Sequence, residues 1–131
     1  MKIAISLVGL CLALPAHAQD ARWVTFKTGT WPDYGRVQHQ IDRASIKQEG
    51  PYKTFSTRVW VIEEKQPLTF NNNEQLFFLW QKYAVDCAQR RFGSRTIDSN
   101  SPRAVKTSLA AMRWTKLDQV PAVAHSVCGE K

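Results

Sequence analysis

The chain has 131 residues, 44% of them hydrophobic, and its 18 Lys and Arg against 11 Asp and Glu give a net charge of +7. That length suits one domain with a modest core, and two are not expected. The basic balance points to anionic partners, and no internal repeat, low-complexity tract or linker interrupts the chain.

Residues 1–18, MKIAISLVGLCLALPAHA, are expected to be a cleaved signal peptide. Lys2 supplies a positive start, Ile3 to Leu14 an apolar run, Pro15 a break and Ala16-His17-Ala18 a small-x-small cleavage site. The run of twelve residues is too short for a bilayer core of about 30 Å at about 1.5 Å per residue, so no transmembrane segment is expected in the mature chain. The mature protein then begins at Gln19 as a single domain over 19–131, exported and either periplasmic or secreted. Lipid anchoring at Cys11 is not expected, because bulky Leu10 stands where a lipid signal has a small residue. Cleavage leaves Cys87 and Cys128, an even pair that in an exported protein is most simply a disulfide, with two unpaired thiols as the alternative.

The mature chain reads mainly as strands. Arg22 to Lys27 is rich in β-branched and aromatic residues, Thr28 to Gly35 is turn-prone, and a short strand follows over about Arg36 to Ile41. Asp42 to Ser45 predicts a tight turn, because Asp and Ser side chains bond nearby backbone groups; Gln48 to Pro51 is a further break. The longest strand signal runs from Tyr52 to Ile62. Its period of two puts Phe55, Thr57, Val59 and Val61 on one face and Thr54, Ser56, Arg58 and Trp60 on the other, with Trp60 covering a second cluster. Glu63 to Asn73 is polar and predicts an exposed loop.

Leu76 to Phe92 is ambiguous: Leu76 to Trp80 could open a helix capped by Asn73, whereas Tyr83, Val85 and Cys87 alternate as a strand, which is preferred from Trp80 onward. Gly93 permits a bend, Arg95 to Asp98 predicts a strand closed by Ser99 to Pro102, and another is expected between Lys106 and Trp114. At the end the period changes. Pro121 suits a first helical turn, Val123 with Val127 and Ala124 with Cys128 form i,i+4 pairs, and Gly129 stops the helix. The expected fold is therefore α+β, mainly β: a small antiparallel sheet of about five to six strands, with a short C-terminal helix packed on it and linked by the Cys87–Cys128 disulfide.

Chemistry is sparse. The mature chain keeps two histidines, His39 and His125; Asp42 lies near His39, so a small hydrolase can be imagined, but no catalytic set is assigned. Glu63 and Glu64 read as solvated loop acids. No metal site and no cofactor are expected, since two histidines and two oxidised cysteines offer no recognised ligand spacing and no Gly-rich phosphate loop is present. The candidate binding region is basic: Arg90, Arg91, Arg95, Arg103, Lys106, Arg113 and Lys116 accompany one acid, Asp98. It could meet an anionic glycan or envelope polymer through salt-sensitive contacts, or be a solvated face; nucleic acid is not expected, because no aromatic-interleaved motif accompanies the charges. Trp60 and Trp114 read as packing residues, with ligand stacking as the alternative.

Ile41-Asp-Arg-Ala-Ser-Ile46, the strand Tyr52 to Ile62, Lys82-Tyr-Ala-Val-Asp-Cys87 followed by Arg90 and Arg91, then Trp114, Pro121 and Val127-Cys128-Gly129, occur in that order. This pattern resembles the surface-adhesin protein E family over about Trp23 to Gly129. The resemblance implies an antiparallel sheet with a helix on one side, the Cys87–Cys128 bond, an envelope role, binding of a partner protein, and a homodimer as an option. Two features depart from it: Leu10 before Cys11, where that family's adhesin carries a lipid anchor, and Asn71-Asn-Asn-Glu74, where the adhesin has a basic cluster. The leading expectation is an exported non-enzymatic envelope protein binding a protein or anionic polymer. The alternative is a periplasmic inhibitor or chaperone-like module, for example a lysozyme inhibitor, and a small hydrolase comes third.

Overall fold

The computed structural model describes residues 22–72 and 75–131; the expected signal peptide, with Cys11 and the start at Gln19, lies outside the described residues. The strands in chain order are β1 (Trp23–Trp31), β2 (Gly35–Asp42), β3 (Lys47–Glu49), β4 (Tyr52–Val61), β5 (Gln66–Pro67), β6 (Thr69–Asn72) and β7 (Gln75–Phe78). Then come β8 (Trp80–Asp86), β9 (Arg91–Gly93), β10 (Asp98–Ser99) and β11 (Trp114–Lys116), and the helix α1 (Pro121–Cys128) closes the chain. The main sheet runs β1-β2-β4-β8-β9-β11, with β3 and β5 beside β4 and β10 beside β8; β6 and β7 form a separate hairpin. Every pairing is antiparallel. The sheet curls into a half-barrel with β1 and β11 as its two outer edges, which is the α+β, mainly antiparallel fold expected.

Alternation along β4 divides the molecule. Phe55, Thr57, Val59 and Val61 are buried on the inner face, and Ser56, Arg58 and Trp60 are half-buried on the outer one. Cross-strand partners share a face, so Val37, His39 and Ile41 of β2 also point inward. Two apolar clusters form there. One joins Ile41, Phe55, Val85 and Phe92 to Leu117, Val123, Ala124 and Val127; the other contains Val37, Val59, Val61, Leu68 and Leu79. Each fully buried Phe or Ile of this set contributes about 1.5–3 kcal/mol.

Helix α1 has eight residues, too few to persist alone. Pro121 opens it, where its missing N–H costs nothing, and Gly129 ends it in the left-handed region at φ 69°, favouring glycine there. Val123 and Val127 dock on the first cluster, and the Cys87–Cys128 disulfide, spanning 41 residues, fastens the last turn to the end of β8. The Nζ of Lys53 donates to the carbonyl of Val127 at 3.1 Å, placing a cation at the helix C-terminus where its dipole is negative.

Asp42 to Ser45 forms the expected turn. The Asp42 carboxylate accepts the Ala44 N–H at 3.1 Å, and Ser45 Oγ donates to the Asp42 carbonyl at 2.6 Å while accepting the Ser56 N–H at 2.7 Å. Other boundaries differ from expectation. The turn expected over Thr28 to Gly35 shrinks to Pro32–Tyr34, because Thr28, Gly29 and Thr30 pair with β2 past a bulge between Thr25 and Lys27. The break at Gln48 to Pro51 shrinks to Gly50–Pro51, since β3 pairs with the start of β4. The loop expected over Glu63 to Asn73 is a turn followed by β5 and β6: Leu68 donates its N–H to the Val59 carbonyl at 2.7 Å and is 1% exposed. Polar neighbours concealed one residue with a core to fill.

The helix considered for Leu76 to Trp80 is instead β7 and the start of β8; Asn73 lies outside the described residues. From Arg95 to Asp98 only Asp98 is in a strand, and the Lys82 carbonyl accepts both the Ile97 N–H at 2.8 Å and Thr96 Oγ1 at 3.0 Å. No strand occupies Lys106 to Arg113; Leu109–Ala111 is a 3-10 turn capped by Ser108, and pairing resumes only at Trp114. Met112 fills the space above Gly93, where an added Cβ would sit 3.0 Å from Met112 Sδ and 3.2 Å from the Ala84 carbonyl oxygen. Gly93 therefore serves close packing more than a bend.

Replacing Cys87 and Cys128 together by Ala should lower unfolding free energy by about 2–5 kcal/mol, read from urea denaturation of the non-reduced protein. An unchanged midpoint would mean that docking of Val123 and Val127 suffices to hold α1.

Candidate functional site

The basic residues singled out in the sequence divide into two groups. Arg90 pairs with Asp118 and Glu130, Arg91 with Asp86 at 3.1 Å, and Lys106 with Asp98 at 2.8 Å. Lys106 holds the Asp98 carboxyl below its usual range, chiefly through that hydrogen bond. These three cations are answered within the fold. Arg95, Arg103, Arg113 and Lys116 are exposed and make no ion pair among the described residues. Lys116 and Arg113 lie on and just before β11, the sheet edge, and Ser94 bonds the Arg113 carbonyl at 2.9 Å, which brings Arg95 beside them. Arg103 sits in the connection that returns to this edge.

The outer sheet face adds a feature that composition did not reveal. Four of the five tryptophans, Trp23, Trp60, Trp80 and Trp114, fall on it by strand register, all half-buried. The Arg58 guanidinium stands 3.7 Å from the Trp23 ring centre and 4.3 Å from that of Trp60, with Arg22 at 5.2 Å from Trp23. Arg58 Nε donates to Gln40 Oε1 at 2.8 Å, Gln40 Nε2 to Gln38 Oε1 at 3.2 Å, and Thr25 Oγ1 to the same oxygen at 3.3 Å, so a polar ladder orients the arginine. Burial and the charge of Arg22 lower the Arg58 pKa. Nearer the basic edge, Tyr52 stacks on Trp114 at 5.3 Å and Arg91 lies 4.4 Å over the same ring. Trp60 thus does not cover a second cluster, as its position suggested: that cluster forms on the inner face, and Trp60 packs under Arg58.

The residues considered for hydrolysis do not meet. His39 faces inward against Phe26 and Trp31, whereas Asp42, three positions on, accepts a two-pronged contact from Arg22 at 2.9 and 3.0 Å on the other side. His125, on α1, has its Nδ1 2.6 Å from the carbonyl oxygen of Glu130 just past the helix. Glu63 pairs with Arg36 at 2.8 Å, which lowers its pKa, and Glu64 accepts from Gln66 at 2.7 Å. Among the described residues no three His, Cys, Asp or Glu side chains gather as a metal site, and no helix is long and apolar enough to cross a membrane. That observation and the disulfide are compatible with export.

Compared with known proteins, the chain matches no family model, no curated protein and no solved structure.

The alternation of Ser56, Arg58 and Trp60 was visible in the sequence, but their meeting with Trp23 and Trp80 needed the register of β1 and β8. Arg58→Ala should destabilise by about 1–3 kcal/mol, since two cation–π contacts of about 0.5–2 kcal/mol each vanish. It should also shift tryptophan emission to the red as Trp23 and Trp60 gain water. Arg58→Lys should restore only part of this, lacking a planar group to stack; unchanged stability and emission in Arg58→Ala would refute the stacking.

Burial first, and the charge of Lys27 second, hold the His39 imidazole below its ordinary 6.5. The unfolded chain therefore takes up a proton that the folded chain refuses, and stability falls as pH drops below 6.5. The fall between about pH 7.5 and about pH 5.5 should be smaller in His39→Gln than in the parent, measured by urea unfolding at both values. Equal pH dependence in the two proteins would exclude His39 as its source.

Proposed function

We propose that this chain is an exported, non-enzymatic envelope protein of the surface-adhesin E type that binds an anionic polymer, or a protein presenting one, through its outer sheet face and basic edge. The observation that carries the reading is the adjacency of two features at the β11 edge of the sheet. The uncompensated cations Arg95, Arg113 and Lys116 lie along the β9 and β11 edge, and the Tyr52–Trp114–Arg91 stack adjoins them. Exposed cations attract an anionic chain in a salt-dependent way, and half-buried aromatic rings give it a flat apolar surface on which to settle. Lysines and arginines on an edge strand also prevent edge-to-edge pairing of sheets. Edge protection alone, however, needs no aromatic stack beside the charges.

Heparin, a sulfated glycan, serves as the probe. The protein should be retained at low salt and elute earlier as salt rises, and replacing Arg95, Arg113 and Lys116 together by Ser should lower the eluting salt concentration substantially while leaving the melting temperature unchanged. Passage through the column at low salt would remove this surface as a polyanion contact. Inhibition of lysozyme by the purified protein, in the absence of heparin retention, would instead favour the inhibitor module.

A further inference from the structure

The inner face holds a second feature, on the opposite side of the sheet and independent of the surface above. The half-barrel is not closed, and a cleft of about 390 Å³ lies between its two outer edges, lined by residues of β1, β2, β8, β9 and β11 and of the approach to α1. That volume falls within the range of small-molecule sites, about 300–1,000 Å³. Its walls are aromatic: Phe26 meets His39 and Tyr83 edge-on, with ring centres 6.1 and 6.4 Å apart, and Tyr83 lies 5.6 Å from Phe92.

Basic nitrogen groups enter at one place. On β2 the inward positions run Val37, His39, Ile41, so His39 sits between the two apolar clusters, and Lys27 stands opposite it in the β1–β2 register. Among the described residues, neither ring nitrogen of His39 has a hydrogen-bond partner and Lys27 has no ion pair. No carboxylate lines the cleft; the titratable groups that face His39 are Lys27 from β1 and Tyr83 from β8, while β9, β11 and the approach to α1 contribute Ser94, Thr115 and Gln119. Tyr83 is itself satisfied, donating to Gln81 Oε1 at 2.7 Å, and burial raises its pKa so that the phenol stays neutral. A half-buried imidazole and a cation without partners, at the end of an aromatic slot, suit a group that is flat and apolar at one end and anionic at the other. The comparable groove of about 360 Å³ on the outer face, between Trp23 and Trp80, lacks this feature, because its Arg22 and Asp42 already satisfy each other.

We propose that the cleft binds a small carboxylate bearing an apolar ring, the ring lying against Phe26, Tyr83 and Phe92 and the carboxylate meeting Lys27 and His39. Phenylacetate is a suitable probe, with phenylacetamide (ring without charge), acetate (charge without ring) and inorganic phosphate as comparisons. The test follows the His39 ring resonances by NMR on the full chain. Phenylacetate should shift them saturably and raise the His39 pKa, with each comparison compound binding at least tenfold more weakly. Lys27→Gln, at an exposed position that should leave the melting temperature unchanged, should weaken phenylacetate about tenfold and leave phenylacetamide unaffected. Absence of a saturable shift with phenylacetate would overturn the proposal. So would equal binding of phenylacetamide, which would make the slot merely apolar, or equal binding of phosphate, which would make it a general anion contact.

Discussion

The two-faced alternation of β4 is the constraint from which the rest follows. Of the inward side chains on this central strand, Phe55 joins one apolar cluster and Val59 and Val61 the other, with Thr57 between them, while the outward series Ser56, Arg58 and Trp60 supplies the middle of the outer face. A slip of one residue in its pairing would bury Arg58 and expose Phe55, so the register is strongly specified by the cost of burying an unpaired guanidinium. Through β2 on one side and β8 on the other, that register also decides which residues share a face with Arg58: Gln40 from β2 and Trp80 from β8.

The inner face is not uniformly apolar, and this shapes the molecule. His39 and Thr57 occupy inward positions between the two clusters, and Thr57 Oγ1 bonds the Gln81 carbonyl at 3.3 Å. One cluster is capped by α1 and tied by the disulfide; the other is covered through Leu68 and Leu79. Of the two polar positions, Thr57 is buried and His39 lines the opening of the half-barrel, beside Gln119 and Val120 of the approach to α1. Curvature without closure thus yields two surfaces of different chemistry, an arginine–tryptophan outer face and an aromatic cleft inside.

Much of the architecture was legible from short-range pattern. The period of two in Tyr52 to Ile62, the Asp42–Ser45 turn and the helix from Pro121 to Gly129 each follow from neighbours within a few positions. The failures share one cause. Leu68 and the pairing of Gln66 with Val61 are hidden in a polar stretch because their reward comes from a distant strand, and the extra length of β1 comes from its ladder with β2 rather than from its own composition. Lys106 to Arg113 failed the other way: residues acceptable in a strand make isolated backbone bonds, such as Thr107 N–H to the Thr96 carbonyl, in place of a ladder, and Met112 fills the gap over Gly93.

The candidate surfaces were less legible than the fold. Seven basic residues within 27 positions formed one region by sequence, but three of them are neutralised by Asp86, Asp98, Asp118 and Glu130, and only the structure distinguishes these from the four left exposed. By itself the sequence pointed to the mainly β class, the pairing of Cys87 with Cys128 and the terminal helix, because the first and last depend on local periodicity and the pairing on the two cysteines left once the expected leader is set aside. The tertiary structure alone decided that Arg58 stands between Trp23 and Trp60, and that His39 faces a cleft while Asp42 faces away, because cross-strand neighbours are set by register between segments tens of residues apart.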